Sequence, residues 1–410
     1  MDNEKNVNRD ILTDNDVTAH TAAMWKYNPV PEIPEPYPES ICGADHSDDF
    51  EITAASVRGK KHKHDGSNRD DSFSFAFVDK AVIAVVSDGA GSKAFSRIGA
   101  KCACEAVIKY IKAGLASLKR NYPDYAEILG KPLDSPEFGG VCSEIAGILR
   151  DSYSEAFAAV ETACEKRKAC PEFTEAVGRE IDIKDFSCTL LTSLTIPVDT
   201  ENGREYFTAA IQLGDGIIAS VDENAPAENA LALLGAADSG SFAGETEFLT
   251  SEPMRSQDSL MARTKVRRGK MTSLMLMTDG VADDYYPNDP QILRLLLDLR
   301  MNGIIPIAGG KNTPAEIPDE KIPEPVAYPW VNDSDVKYAL QYAKNVISSC
   351  GMTLEQLWES REIQEKASLA AFGISHESKS EEMLKIWLDN YIERGSFDDR
   401  TLAVINVKKD

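Results

Sequence analysis

The sequence has no long uninterrupted run of apolar residues. A helix needs roughly 18 consecutive apolar residues to cross a bilayer, and no stretch of this chain approaches that length. Residues 1–25 are polar and contain no hydrophobic segment of the kind that marks a secretory signal. These absences lead us to expect a cytoplasmic protein with no membrane partner.

An excess of positive charge is also missing. The chain carries 67 Asp and Glu residues against 44 Lys and Arg residues, a formal net charge of −23 over 410 residues. A general nucleic-acid binder needs a basic face to neutralise phosphates, so nucleic acid is not expected as a partner. Apolar residues make up 42% of the chain, which is typical of a soluble globular protein.

The eight cysteines form no pair at C-x-x-C spacing, and the five histidines do not cluster with them. A zinc site is therefore not expected. We interpret the cysteines as reduced, small residues of the core.

Proline is concentrated near the N-terminus. Residues 27–38 read YNPVPEIPEPYP, which can form neither a helix nor a central strand. We expect residues 1–45 to be an extended proline-rich arm and residues 46–410 to form the main domain. A tether packed loosely on the domain and a segment that docks a partner both fit this composition.

The order of the predicted elements indicates an α+β fold. Two apolar runs, Ser72–Val78 and 81–86, are separated by a short polar turn, which is a hairpin signal. Two long amphipathic helices follow at 96–118 and 139–170, and then strands, helices and a last strand at 401–407. This order does not fit βαβ alternation. It predicts a four-layer α-β-β-α sandwich of two antiparallel sheets flanked by helices.

Aspartates recur at the ends of the predicted strands. Asp70 and Asp71 precede the strand Ser72–Val78, and Asp88 follows the next strand, so a tight turn would place them side by side. Other strand ends carry Asp215, Asp279 and the pair Asp398 and Asp399. A single aspartate of this kind would be interpreted as a turn or cap residue.

Several carboxylates in one small volume need compensation. Like charges a few ångströms apart repel by about 1–4 kcal/mol per pair, depending on the local dielectric. They therefore raise one another's pKa values or bind cations. Oxygen ligands suit hard divalent ions, so the pattern predicts a site for two Mg²⁺ or Mn²⁺ ions.

Six motifs resemble those of the type 2C metal-dependent Ser/Thr protein phosphatases, and the bacterial branch most closely. In chain order they are Gly59-x-x-His62 with Gly66 and Asp70-Asp71-Ser72-Phe73, Ser87-Asp88-Gly89-Ala90-Gly91-Ser92, Phe186-Ser187-Cys188-Thr189-Leu190, Leu213-Gly214-Asp215-Gly216, Met277-Thr278-Asp279-Gly280-Val281-x-Asp283 and Phe397-Asp398-Asp399-Arg400-Thr401. The resemblance runs from about residue 52 to residue 408. It implies that residues 46–410 are a catalytic domain of this type.

The resemblance implies a role for each of these acidic residues. Asp88 would bridge two metal ions with a contribution from the Gly89 carbonyl, and Asp279 and Asp398 would complete the shell of the first ion. Asp70 would serve the second ion.

Three further assignments come from the same resemblance. Asp71 would hold metal-bound waters, and Asp215 and Asp283 match positions that hold a third, weaker ion together with Asp279. The expected catalytic set is therefore Asp71, Asp88, Asp279 and Asp398. A water between the first two ions would hydrolyse phosphoserine or phosphothreonine in proteins, without a phosphoenzyme.

Two positions depart from the family pattern. Many members carry an Arg that grips the phosphate five residues before Asp71, where this chain has Gly66. Many eukaryotic members carry a His two residues after the bridging aspartate, where this chain has Ala90. The general acid is therefore left unassigned.

Basic residues before the first aspartate pair could supply the missing phosphate contact. Arg58, His62 and Arg69 are the candidates for substrate binding, with a solvated loop as the equal alternative. A second basic run at 263–270 is interpreted as a surface loop, with partner or phosphate binding as the alternative.

Residues 281–395 separate the last two motifs, which is more than the family core needs. We expect an insertion near 300–350. The leading hypothesis is a signalling phosphatase whose partners are a phosphorylated protein and a cognate kinase. A non-catalytic regulatory module of the same fold and a hydrolase of small phosphorylated metabolites stay open.

Overall fold

The computed structural model describes residues 25–32, 34–235, 247–306, 342–372, 379–391 and 397–408. Its strands are β1 (Ser40–His46), β2 (Phe50–Val57), β3 (Ser72–Val78), β4 (Ala81–Ser87), β5 (Leu190–Thr200), β6 (Gly203–Leu213), β7 (Ile217–Val221), β8 (Leu231–Leu233), β9 (Thr264–Gly269), β10 (Ser273–Met277) and β11 (Arg400–Val407).

The helices surround these strands. They are α1 (Lys60–Asp65), α2 (Ser96–Asn121), α3 (Tyr125–Gly130), α4 (Pro136–Lys168), α5 (Pro171–Val177), α6 (Ala227–Ala230), α7 (Gln257–Arg263), α8 (Asp279–Ala282), α9 (Asn288–Met301), α10 (Tyr342–Cys350), α11 (Leu354–Glu359), α12 (Arg361–Phe372) and α13 (Ser380–Asn390). Among the described residues, no helix is both long and apolar enough to cross a membrane.

The strands form two antiparallel sheets. One has the order β1-β2-β11-β10-β7-β8, and the other has the order β3-β4-β5-β6-β9. Helices α2 and α4 pack on the second sheet, and α9 to α13 lie on the side of the first. The predicted α+β sandwich of two sheets flanked by helices is confirmed.

Strand β4 shows how its sequence serves this layered arrangement. All seven of its residues are buried. Ile83 and Val85 pack into the core beneath the helices, whereas Val82 and Val86 pack into the core between the sheets. Successive side chains of a strand point to opposite faces, so a strand covered on both faces is apolar throughout.

The predicted hairpin is confirmed, with Val78 paired to Ala81 across the turn. Asp79 adopts a positive φ of 54° there, a conformation that aspartate tolerates better than most residues. The β3 start and the β4 end consequently lie side by side, with Ser72 opposite Ser87. This register brings the first two aspartate motifs to one edge of the sheet.

The outcome differs among the other sequence-based expectations. Strand β1 begins at Ser40 and pairs along β2, so strand structure starts inside the range 1–45 that was assigned to the extended arm. The basic run is not a surface loop, because β9 is the edge strand beside β6. Of the insertion expected near 300–350, residues 307–341 lie outside the described residues. All eight cysteines are free, but only Cys104, Cys164 and Cys188 are buried.

Candidate active site

The ends of strands from both sheets meet at one edge. Asp71 precedes β3 in one sheet, while Thr278 follows β10 and Thr401 lies in β11 of the other sheet. The hydroxyls of Thr278 and Thr401 donate to Oδ2 of Asp71 over 2.8 and 2.7 Å. These two hydrogen bonds tie the first motif to the last two, although more than two hundred residues separate them in sequence.

Three further carboxylates converge beside Asp71. Oxygen atoms of Asp88, Asp215 and Asp279 all lie within 4.8 Å of one another. Asp88 is held by Thr189, whose Oγ1 accepts from the Asp88 amide at 2.9 Å and whose amide donates to the Asp88 carbonyl at 2.8 Å. The side-chain amide of Gln212 donates to the carbonyls of Gly214 and Gly216, the two neighbours of Asp215, and so holds the turn that carries Asp215.

The loop that carries Asp398 reaches this edge because two glycines let backbones touch. A Cβ atom at Gly59 would overlap the Asp398 backbone, and one at Gly280 would overlap the Asp399 carbonyl. Only glycine allows such close approach. These contacts hold the last motif beside the first and beside Asp279.

Burial and crowding raise the pKa values of these carboxyls. Burial raises the pKa of Asp88 well above its usual range, and the charges of Asp279 and Asp71 raise it further. Asp279 is shifted in the same direction by burial, Asp215 and Asp71. Burial and the charge of Asp399 raise the pKa of Asp71 to about 6. The array therefore favours cations or protons over a set of bare carboxylates.

The donor set fits hard divalent ions. Oδ1 of Asp71 is buried beside the Asp88 carboxyl and accepts no hydrogen bond from any other described group. An oxygen in that position is suited to a cation or to a cation's water. The residues that could hold ions are Asp71, Asp88, Asp215, Asp279 and Asp398. Gly89 and Cys188 form an isolated antiparallel β-bridge. Its two backbone hydrogen bonds involve the Asp88 carbonyl and the Ala90 amide, so the Gly89 carbonyl takes part in neither of them.

A substrate-binding residue would face solvent, but the His62 side chain does not. Its side chain is 4% exposed, with Nδ1 2.7 Å from the Asn68 carbonyl and 3.2 Å from Asp399 Oδ1, and Nε2 3.4 Å from Asp398 Oδ1. Burial lowers the pKa of His62, but the hydrogen bond and charge of Asp399 outweigh burial and raise it to about 10. His62 is therefore a buried cation beneath the last motif.

Asp70 lies in this same buried cluster. Its Oδ2 is 3.9 Å from His62 Nδ1, and its amide donates to Asp399 Oδ2 over 2.5 Å. His62, Asp70 and Asp399 have the composition of a metal site. However, His62 Nδ1 faces the Asn68 carbonyl, so this nitrogen carries a proton and is not a metal ligand. The raised pKa of His62 favours the imidazolium, whose charge compensates these carboxylates.

Arg58 and Arg69 are also buried, at 1% and 2% exposure. Arg58 donates to the Asn28 and His62 carbonyls and pairs with Glu39 at 2.7 Å. Arg69 donates to the Pro38 and Asp71 carbonyls and to Ser56 Oγ. The geometry therefore does not support the expectation that these guanidiniums contact a phosphate, because they already donate hydrogen bonds to acceptors within the protein.

Asp283, predicted for a third ion, is exposed at the end of α8. Its neighbour Asp284 is buried, and Asp284 Oδ2 accepts from the Tyr391 hydroxyl at 2.6 Å and lies 3.3 Å from Arg400. Since Arg400 directly follows the last aspartate pair, this contact fixes the segment of Asp279 against the segment of Asp398.

Sequence reasoning missed the residues that support the carboxylates. Asp399 was part of a motif but received no role, and Thr189, Thr278 and Thr401 were not considered individually. A signal was present, because each threonine lies within a motif, next to or near an aspartate at a strand end. Threonine suits such positions since it is a good strand residue with a hydroxyl.

Comparison with known proteins identifies the family of this chain. Residues 58–301 match the family model described as protein phosphatase 2C, which is more than half of the chain. The chain therefore belongs to the protein phosphatase 2C family. No curated protein matches it in sequence.

Similar solved structures are distant in sequence. A bacterial serine phosphatase is 10% identical, with 88% of this chain and 99% of that chain covered and a TM-score of 0.39. Serine/threonine phosphatase Stp1 from Staphylococcus aureus is 9% identical, with 94% and 99% covered and a TM-score of 0.37. RsbX in complex with magnesium is 10% identical, with 90% and 100% covered and a TM-score of 0.30.

Proposed function

We propose that this chain hydrolyses phosphoserine and phosphothreonine in proteins and that it uses Mg²⁺ or Mn²⁺. The observation that carries the proposal is the convergence of Asp88, Asp215 and Asp279 within 4.8 Å, beside the buried Asp71. Two divalent ions at this edge would supply a nucleophilic water shared between them and would offset the charge of the phosphoryl group. Membership of the protein phosphatase 2C family supports the same activity.

The proposed roles combine the positions of the carboxylates with the roles that the family resemblance implies. Asp88 is central, because its charge interacts with those of Asp71, Asp279 and Asp398, and we assign it to both ions. Asp279 and Asp398 belong to the first ion. Asp71, held by the Thr278 and Thr401 hydroxyls, is assigned to orienting water.

Two further assignments complete the proposed set. Asp215 lies within reach of Asp88 and Asp279, so it is assigned with the exposed Asp283 to a third ion. Asp70 and the Gly89 carbonyl keep their assignment to the second ion. The Asp70 carboxylate also contacts His62, so that role must be tested separately.

The substrate proposed is a phosphorylated protein in the cytoplasm, and the kinase that phosphorylates it is a candidate partner in a signalling pair. Neither nucleic acid nor membrane is a proposed partner. One observation favours a non-catalytic module of the same fold. Gly66 replaces the phosphate-gripping arginine, and the nearby Arg58 and Arg69 are already engaged.

The test is a turnover assay on purified protein with Mn²⁺, with a phosphopeptide panel, a chromogenic aryl phosphate and a panel of small phosphorylated metabolites as substrates. We expect hydrolysis of the phosphopeptides and the aryl phosphate. The Asp279→Asn variant should be inactive, and Asp258→Asn, an exposed aspartate in the first turn of α7, is the matched control. Absence of both turnover and calorimetric Mn²⁺ binding would favour the non-catalytic module, and a preference for metabolites would favour the small-molecule hydrolase.

A further inference from the structure

The proline-rich segment follows the surface of the domain beside the carboxylate edge. We name residues 25–32 and 34–39 the strap. Its backbone carbonyls accept hydrogen bonds from three buried arginines, Arg58, Arg69 and Arg97. Each arginine also contacts a second segment, which carries or adjoins a predicted metal ligand. Each arginine therefore forms a bridge between the strap and that segment.

Arg58 forms the first bridge. On one side Nη1 donates to the Asn28 carbonyl at 3.0 Å and to the Glu39 carboxylate at 2.7 Å. On the other side Nη2 donates to the His62 carbonyl at 2.8 Å. The His62 ring in turn lies 3.4 Å from Asp398 Oδ1. This bridge therefore connects the strap to the last motif.

Arg69 forms the second bridge. Its Nε donates to the Pro38 carbonyl at 3.2 Å, and its Nη1 donates to Ser56 Oγ at 2.7 Å and to the Asp71 carbonyl. Ser56 Oγ is 2.7 Å from the Thr401 hydroxyl, which also bonds the Asp71 carboxylate. The strap is thus connected to the backbone and to the side chain of Asp71.

Arg97 forms the third bridge, in the first turn of α2. Nη2 and Nε donate to the Pro34 and Glu35 carbonyls at 2.6 and 3.1 Å, and Nη1 donates to the Ala94 carbonyl at 2.8 Å. The loop that ends at Ala94 begins with Asp88. The strap is therefore connected to three of the segments that carry predicted metal ligands, those of Asp71, Asp88 and Asp398.

Two contacts fix the strap from outside. The Glu35 carboxylate makes a two-pronged ion pair with Arg167 of α4, with the shortest distance at 2.7 Å. The Trp25 ring packs against Phe397, the neighbour of Asp398, with 4.8 Å between ring centroids. A loose tether would make neither contact.

We propose that the strap positions the metal-binding edge, with Arg58, Arg69 and Arg97 as positioning residues. A buried guanidinium must keep hydrogen-bond acceptors, and here the strap supplies them. If the strap is displaced, the three arginines lose these acceptors and must form other hydrogen bonds. The segments that the arginines contact would then move. The inference rests on the proposed metal-dependent function, because the expected effect of the strap is on the affinity for metal ions. It also assigns the strap to the catalytic unit.

The first test compares Arg97→Met with Arg97→Lys in the full chain. Arg120→Met is the matched control, because Arg120 is an exposed arginine in the last turn of the same helix and its loss changes the net charge equally. We expect Arg97→Met to weaken calorimetric Mn²⁺ binding about tenfold. Arg97→Lys should weaken it less than threefold, and Arg120→Met should leave it unchanged. Equal losses for Arg97→Met and Arg120→Met would overturn the proposal.

The second test does not depend on replacing a buried residue. Glu35→Lys places a cation against Arg167 and should release the strap, whereas the double variant Glu35→Lys with Arg167→Glu restores an ion pair. We expect Glu35→Lys to weaken Mn²⁺ binding about threefold and to speed amide hydrogen exchange over residues 59–71, and the double variant to recover both. Unchanged exchange and unchanged binding in Glu35→Lys would refute the inference. If the wild-type protein binds no Mn²⁺, the proposed function fails, and exchange over residues 59–71 still decides the role of the strap.

Discussion

The Nδ1 atom of His62 lies 3.2 Å from Oδ1 of Asp399, and the two side chains are only 4% and 1% exposed. Burial alone would raise the pKa of Asp399, but the hydrogen bond and charge of His62 outweigh it and lower that pKa. Asp399 also accepts from the amides of Gly59 and Asp70, so it joins the first motif to the last. The ion pair is therefore a structural link at the centre of the site.

Replacing His62 with Gln should destabilise the protein rather than affect substrate binding alone. Breaking a buried ion pair leaves a charge uncompensated, which typically costs about 3–5 kcal/mol. We expect a loss of this size in urea unfolding of the metal-free protein. His46→Gln, at the exposed end of β1, is the control. A His62→Gln variant with wild-type stability and only a raised KM would restore the substrate-binding interpretation.

Asp279→Asn should abolish turnover while the fold is kept. Asp279 interacts with Asp88, Asp215 and Asp398, so its loss removes an ion ligand from the centre of the array. We expect kcat to fall by about a thousandfold, since metal activation of water is worth several kcal/mol. Without metal, the same variant should unfold at a higher urea concentration than the wild type, because one repelling charge is gone. Retention of most of the activity would show that the assignment of Asp279 is wrong.

One part of the carboxylate edge could be predicted because it is local in sequence, whereas the other carboxylates come from distant strand ends. A two-residue turn brings Asp71 and Asp88 together whatever the rest of the chain does, and Asp279 lies two residues beyond the end of an apolar strand. Thr278 and Thr401 were harder to predict, because their hydrogen bonds to Asp71 exist only once the two sheets are stacked.

The roles of the basic residues could not be predicted in this way. Arg58 and Arg69 look like surface residues in the sequence, and most of their acceptors are backbone carbonyls, which no residue pattern displays. His62 finds its partner Asp399 more than three hundred residues away. Strand β9 was mistaken for a loop because it is an edge strand, and such strands often carry charged side chains.

Asp283 and Asp284 are neighbours in sequence but should respond differently to the same substitution. Asp283 is exposed, and we expect Asp283→Asn to reduce turnover about tenfold through the weaker third ion, with unchanged stability. Asp284 accepts from Tyr391 and pairs with Arg400, so Asp284→Asn should lower the free energy of unfolding by about 3 kcal/mol. Each variant is the control for the other. A stability loss confined to Asp283→Asn would contradict the assignment of both residues.

The stability of the metal-free protein should increase as the pH falls from 8 to 5. The folded-state pKa values of Asp70 and Asp71 are raised to about 7 and about 6, chiefly by burial. The folded state therefore takes up these protons before the unfolded state does, and each proton taken up stabilises it. His62 acts in the same direction. Its pKa is raised to about 10, so its contribution is complete below its unfolded value of about 6.5 and is lost as the pH rises towards 10.

Mn²⁺ binding should have the opposite pH dependence. The ions bind deprotonated carboxylates, so protons compete with them where the folded carboxyls titrate. We expect the Mn²⁺ dissociation constant to rise about tenfold or more between pH 7 and pH 5, in proportion to the protons displaced. Calorimetric melting in EDTA and in saturating Mn²⁺ measures both effects on one sample. The gap between the two melting temperatures should narrow as the pH falls, because the metal-free form gains stability while the ions lose affinity. A metal-free melting temperature that rises from pH 5 to pH 8 would mean that these carboxyls are not crowded in the folded protein.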